Sequence, residues 1–154
     1  MTWVEDRIYA AGGDHIPRTW GEFAGQTGIT AVVHLRPGGP AAFQGPLPQA
    51  YLWLGITDES EAAPADRWLV GRFVADCLQA GRKILLHSSL GRHRTRWVYV
   101  AWAIVDGRSA QAALRQAGAK PWLSPYHTSP AVWDAFAREV RRGRRGAPAG
   151  LAGA

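Results

Sequence analysis

The chain has 154 residues, 47% of them apolar, and eight tryptophans; this describes a single folded domain with a real core and excludes a disordered or low-complexity protein. Its one cysteine, Cys77, excludes an internal disulfide and a zinc set built from thiolates. The net charge of +6 is uneven, because residues 138–145 hold five arginines (Arg138, Arg141, Arg142, Arg144 and Arg145) against Glu139. Such a run at a helix end reads first as a solvated basic face, and any attraction to nucleic acid or acidic lipid falls to it.

Taken in order, Val4 to Ala10 followed by Gly12-Gly13 predicts a first strand ending in a turn. Pro17 to Gln26, with Gly28 as its stop, predicts a short helix. Ile29 to Leu35 is β-branched and apolar throughout, the pattern of a buried strand. Residues 37–49 are rich in proline and glycine without a period, hence a loop, and Tyr51 to Ile56 is a third strand. Pro64 opens a helix with apolar residues at helical spacing through Val70, Val74 and Cys77-Leu78 to Gly81, which places Cys77 in the core. Lys83 to His87 is a short buried strand, followed by a polar loop and a helix from Thr95 to Val105. Ser109 caps a helix to about Ala117, and Pro130 opens the last one through Trp133 and Phe136. From Gly143 the composition turns to Gly, Ala and Pro, so the expected division is a domain over 1–142 and a loose tail over 143–154. No internal repeat is visible. Strands alternating with helices call for an α/β layered fold with a mainly parallel central sheet.

No apolar run reaches the roughly 20 residues that span a bilayer. The first residues lack a basic region followed by an apolar stretch, so no secretory signal is read and the cytoplasm is the expected location.

The chemistry concentrates in Lys83-Ile84-Leu85-Leu86-His87-Ser88-Ser89-Leu90-Gly91-Arg92-His93-Arg94-Thr95. A tight loop between strand and helix aims its backbone N–H groups at one point, where the helix dipole also favours negative charge. Gly91 lets the backbone curl inward without a Cβ clash, and Arg94 adds a planar fork of donors matched to two oxygens of one phosphate. This pattern is an anion cradle. Asp58 stands at the end of the predicted third strand, beside the end of the loop strand, where α/β sheets place their ligands; Glu59 and Glu61 are its competitors as an acid, and a capping or solvated loop role is its alternative.

On these residues the chain resembles the cysteine-dependent protein tyrosine and dual-specificity phosphatases, whose loop runs His-Cys, five residues, Arg, then Ser or Thr. His87, Gly91, Arg94 and Thr95 fall in that register. The order of elements agrees as well, from an opening Ile8-Tyr9-Ala10-Ala11-Gly12 through a strand spanning Gly28 to Arg36, so the likeness covers about residues 4–140. One position departs: Ser88 stands where the family has its nucleophilic cysteine.

The resemblance implies a three-layer fold with helices flanking the sheet, and hydrolysis of phosphomonoesters through a phospho-cysteine intermediate without a metal or other cofactor. Residue by residue, it makes Ser88 the nucleophile position, Arg94 and the N–H groups of Ser89, Leu90, Gly91, Arg92, His93 and Arg94 the phosphate cradle, and His87 the residue that orders the loop. Asp58, thirty residues before Ser88, matches the general acid, and Thr95 the hydroxyl that assists breakdown of the intermediate. The implied partners are phosphotyrosine or phosphoserine proteins, or an inositol phosphate or phosphoinositide. Arg92, His93 and Arg96 exceed what a monophosphate requires and fit either surface charge or a polyanionic substrate.

A cysteine in this cradle would be a thiolate at neutral pH, whereas a serine hydroxyl stays protonated and needs a base. The expected activity of the serine form is therefore very low. Two origins fit: a Cys→Ser change that keeps the site while stopping turnover, so that substrate is trapped, and a natural pseudophosphatase that binds phosphate. The residue encoded at position 88 by the native gene separates them.

Overall fold

The computed structural model describes residues 1–13, 16–17, 19–56, 58–88, 92–120 and 128–146, with the side chains of 92–94 and 144–146 outside that description. The chain order is β1 (Thr2–Glu5), β2 (Ile8–Gly12), α1 (Trp20–Thr27), β3 (Ile29–Leu35), β4 (Ala50–Leu54), a 3-10 turn (Glu59–Glu61), α2 (Pro64–Gln79), β5 (Lys83–Ser88), α3 (Arg92–Val105), α4 (Ala110–Gly118) and α5 (Pro130–Gly146).

The five strands form one mixed sheet in the order β1-β2-β5-β3-β4. β2, β5, β3 and β4 run parallel, while β1 is antiparallel to β2. The expected α/β fold with a mainly parallel sheet is therefore present. The single opening strand predicted over Val4 to Ala10 is instead a hairpin, turned at Asp6, which carries the positive φ of 50° that the tight reversal requires.

β5 is buried along both edges because β2 and β3 flank it, so its residues Ile84, Leu85 and Leu86 read as a continuous apolar run. Successive side chains still alternate between faces. Leu85 joins Ile29, Val32, Trp20 and Ile16 under α1 and the 36–49 loop, whereas Ile84 and Leu86 join Val33, Val70, Val74 and Trp97 in the larger core. The helices thus lie on both faces of the sheet, α1 on one and α2, α3, α4 and α5 on the other.

Local signals explain the elements. Gly28, at φ 75°, closes α1 by donating its N–H to Ala24 O at 2.8 Å. Pro64 starts α2, and Asp66 Oδ2 accepts the N–H of Ala63 at 2.8 Å. The Ser109 hydroxyl accepts the N–H of Ala112 at 3.1 Å and begins α4. Cys77 is buried in α2, and burial raises its thiol pKa. Gly71 of α2 permits a close approach to α3: a Cβ there would meet Val105 Cγ2 at 2.6 Å and Ala101 O at 3.0 Å.

Several boundaries differ from the sequence reading: α1 begins at Trp20 rather than Pro17, and the third strand predicted over Tyr51 to Ile56 ends at Leu54. α3 starts at Arg92, three residues before Thr95, because the polar Arg-His-Arg run that gives no apolar signal is nonetheless helical. α5 continues to Gly146, past Gly143, burying Trp133, Phe136, Ala137 and Val140 while Arg138, Arg141 and Arg142 are exposed. Residues 147–154 lie outside the described residues. No described helix is long and apolar enough to cross a membrane.

Candidate active site at the carboxyl end of β5

Ser88 is the last residue of β5, paired in register with Gly12 of β2 on one side and Leu35 of β3 on the other. Its side chain is fully buried, and its Oγ has no hydrogen-bond partner among the described residues. An orphaned buried hydroxyl is rare, and it belongs where a ligand or a loop supplies the missing partner. α3 opens four residues later and runs back along the sheet, so its amino end faces the end of β5.

The sequence-assigned residues divide as follows. Ser89, Leu90 and Gly91 lie outside the described residues; of Arg92, His93 and Arg94 only the helical backbone is described. Thr95 is buried in the first turn of α3. Arg96 is also buried, with Nη2 3.6 Å from where a Cβ on Gly118 would stand, so this guanidinium packs at the end of α4 rather than on the surface.

Asp58 lies just beyond β4, two strands from β5 at the same end of the sheet. Its Oδ1 accepts the N–H of Ser60 at 2.9 Å and caps the 3-10 turn. Its two competitors are placed differently. Glu59 is buried and accepts a hydrogen bond from the Thr128 hydroxyl, tying this turn to the segment before α5, and Glu61 is exposed.

His87 is buried on the opposite face of the sheet from Ser88, as strand alternation demands. There it meets His34 of β3, its partner in register, with ring centroids 4.8 Å apart and planes at 78°. His34 Nδ1 lies 3.0 Å from Tyr51 Oη, which also accepts the N–H of Ala41 at 3.0 Å. Burial first, then the neighbouring His87 and the charge of Arg36, lower the His34 pKa to about 4. Burial likewise raises that of Tyr51. The pair is therefore neutral at physiological pH and couples the 36–49 loop to the strand that carries Ser88.

Sequence reasoning did not single out His34, Tyr51 or Arg36. A polar residue at the carboxyl end of an otherwise apolar strand, as in Val32-Val33-His34-Leu35-Arg36, is the signal that points to them. Among the described residues no group of three or more His, Cys, Asp or Glu side chains is arranged to hold a metal ion.

No protein-family model matches the chain and no curated protein matches its sequence, so the likeness to known proteins is carried by shape. Human DUSP28 aligns with a TM-score of 0.69 at 18% identity, over 94% of this chain and 99% of that one. DUSP15 gives 0.67 at 20% identity, over 96% and 97% of the two chains. PTPMT1 in complex with PI(5)P gives 0.64 at 17%, over 82% and 86%. The chain has the fold of the dual-specificity and tyrosine phosphatases along nearly its whole length.

Proposed function

We propose that the carboxyl end of β5 is a phosphomonoester site of the dual-specificity phosphatase type, held here in a substrate-trapping form by serine at position 88. The observation that carries this reading is the buried, unpartnered Ser88 hydroxyl at the end of the central strand of a phosphatase fold, with a helix opening beyond it. In this reading the N–H groups of Ser89 to Arg94 and the Arg94 guanidinium bind three oxygens of the phosphate.

With a thiol at position 88 the steps balance simply. The thiolate sulfur attacks phosphorus, the bond to the leaving oxygen breaks, and the proton of Asp58 goes to that oxygen. Water then displaces the sulfur with Asp58 now accepting its proton, Thr95 assisting, and inorganic phosphate leaves. With serine the first step needs a base, and neither described imidazole near the end of β5 serves. His87, the adjacent imidazole, lies on the other face of the sheet, and its neighbour His34 is turned to Tyr51.

The test is Ser88→Cys, assayed on p-nitrophenyl phosphate and on phosphotyrosine peptides. The thiol variant turns both over at a rate at least about 10³-fold above the serine form. A thiol variant that folds, binds tungstate and stays at the serine rate sinks the enzyme reading.

A further inference from the structure

The last helix divides into faces with different duties. Trp133, Phe136, Ala137 and Val140 of α5 are buried, on a helix that packs against α3 and α4. A flank of α5 meets α2. There the Phe136 ring stands edge-on to Trp68 with centroids 5.8 Å apart, and a Cβ on Gly143 would lie 3.7 Å from Trp68. The outer face presents Arg138, Arg141 and Arg142, all exposed, at the i, i+3, i+4 spacing that lines side chains along one side of a helix. None of the three has a hydrogen bond or ion pair among the described residues.

The placement of acids decides what this face is. Glu139, the acid within residues 138–145, stands between Phe136 and Gly143 at helical spacing and so belongs to the flank that meets α2. Its charge bears on Arg67 of α2, where burial lowers the guanidinium pKa and Asp66 and Glu139 oppose that shift. The arginines of the outer face are left without it. Asp134, exposed one turn before Arg138, is the acid on their side of the helix. Arg72, exposed on α2 one turn beyond Trp68, adds a further cation on the neighbouring helix.

The exposed described residues of α5 include no aromatic ring on which a base could stack and no Asn or Gln to read a base edge. From Arg138 to Arg142 the helix rises about 6 Å, so three guanidinium groups are held close together on a rigid support. Such a face reads density of negative charge and little else. A plane of acidic headgroups is its complement.

We propose that the outer face of α5 is an electrostatic docking surface for an acidic lipid bilayer, with Arg138, Arg141 and Arg142 meeting its anionic headgroups. The surface is separate from the phosphate site at the end of β5 and does not depend on it. The apolar face of α5 is committed to the core, so the helix rests on the headgroups without inserting. Binding is therefore reversible and weakened by salt.

The test is co-sedimentation with phosphatidylcholine vesicles, with and without phosphatidylserine, a lipid that carries no phosphomonoester for the β5 site. The parent chain binds the phosphatidylserine vesicles at low salt. Replacing Arg138, Arg141 and Arg142 together by Gln weakens this about 10²-fold, near fivefold for each charge, while the triple Lys variant stays within about threefold of the parent. The three side chains are exposed, so the Gln variant keeps the parent's Tm. Asp134→Asn and Glu139→Gln raise the net charge equally, and only the first lies on the face; it tightens binding about threefold and the second less. Four outcomes overturn the proposal. They are no preference for phosphatidylserine, equal binding by the parent and the Gln variant, equal tightening by Asp134→Asn and Glu139→Gln, and tighter binding of a DNA duplex or single-stranded RNA that the Gln variant loses. The third assigns the attraction to net charge alone, and the fourth gives the face to nucleic acid.

Discussion

At the amino end of the parallel strands, charge is matched by charge. Arg108 bonds both oxygens of Glu5 and reaches Gln116 at 2.6 Å, Tyr99 donates to Glu5 at 2.9 Å, and Lys120 donates to Val4 O at 2.9 Å. Burial would raise the Glu5 carboxyl, but the hydrogen bonds from Arg108 and Tyr99 and the charges of Arg108 and Lys120 hold it below the ordinary range. Burial and the neighbouring Glu5 push Tyr99 up to about 12. At the carboxyl end, among the described residues, the buried Ser88 hydroxyl has no hydrogen-bond partner and the exposed Arg36 side chain has no ion pair. A satisfied network adds stability and leaves nothing for a ligand. An unsatisfied one gives up stability and keeps its donors available, which is the mark of a site rather than a brace.

Breaking each end should therefore give a different kind of damage. In the Ser88→Cys background, Asp58→Asn lowers turnover about 10²–10⁴-fold with little change in tungstate affinity, the usual reach of general acid catalysis. An undiminished rate removes Asp58 from the role and leaves it as the cap of its turn. In the serine form, Arg94→Ala lowers tungstate affinity about 10²-fold by calorimetry, and Arg94→Lys restores little because a point charge lacks the planar fork. Equal affinity in parent and alanine variant means that the loop is no anion cradle.

The neutral His34 adds a pH signature. Its folded pKa of about 4 lies below the unfolded 6.5, so the unfolded chain binds more protons between those values. Its contribution is fully present above pH 6.5 and is lost as pH falls through that window, by about 2.5 kcal/mol at pH 4.5. Urea midpoints for the parent and His34→Gln, compared at pH 7.5 and 4.5, converge toward low pH if this is right; parallel curves refute it. The smallest effect belongs to the braced end. Glu5→Gln leaves Arg108 half-buried against an amide and lowers stability by about 2 kcal/mol, roughly 5 °C in Tm for a domain of this size, with tungstate affinity untouched. A loss of tungstate binding there would erase the distinction between the two ends.

Much of this was legible in the residues. Ile29–Leu35 was found to its last residue because β-branched apolar runs have few alternatives, and Pro64 and Ser109 mark helix starts through local backbone chemistry. The β1–β2 turn escaped because Asp6, not glycine, takes the positive φ, leaving no glycine to mark the break. The first turn of α3 escaped because Arg92, His93 and Arg94 carry no apolar period. His34 escaped for another reason: its meaning lies in His87, 53 residues away on β5, which only strand pairing brings beside it.

Gly71 has a consequence for leverage. Its bare backbone lets α2 approach α3 closely at Ala101 and Val105. From Ala101 back to Arg92 is nine residues, about 13 Å of stiff rod ending at the proposed cradle. A single methyl group wedged in at position 71 would push α3 by a few tenths of an ångström or more, and a stiff helix passes such a shift toward its amino end. Positioning errors near 1 Å cost about 10² in rate, while overpacking of this size lowers stability by about 1–3 kcal/mol. Gly71→Ala should then surface in a screen as a defect of activity in a protein that still folds, at a position that touches no ligand.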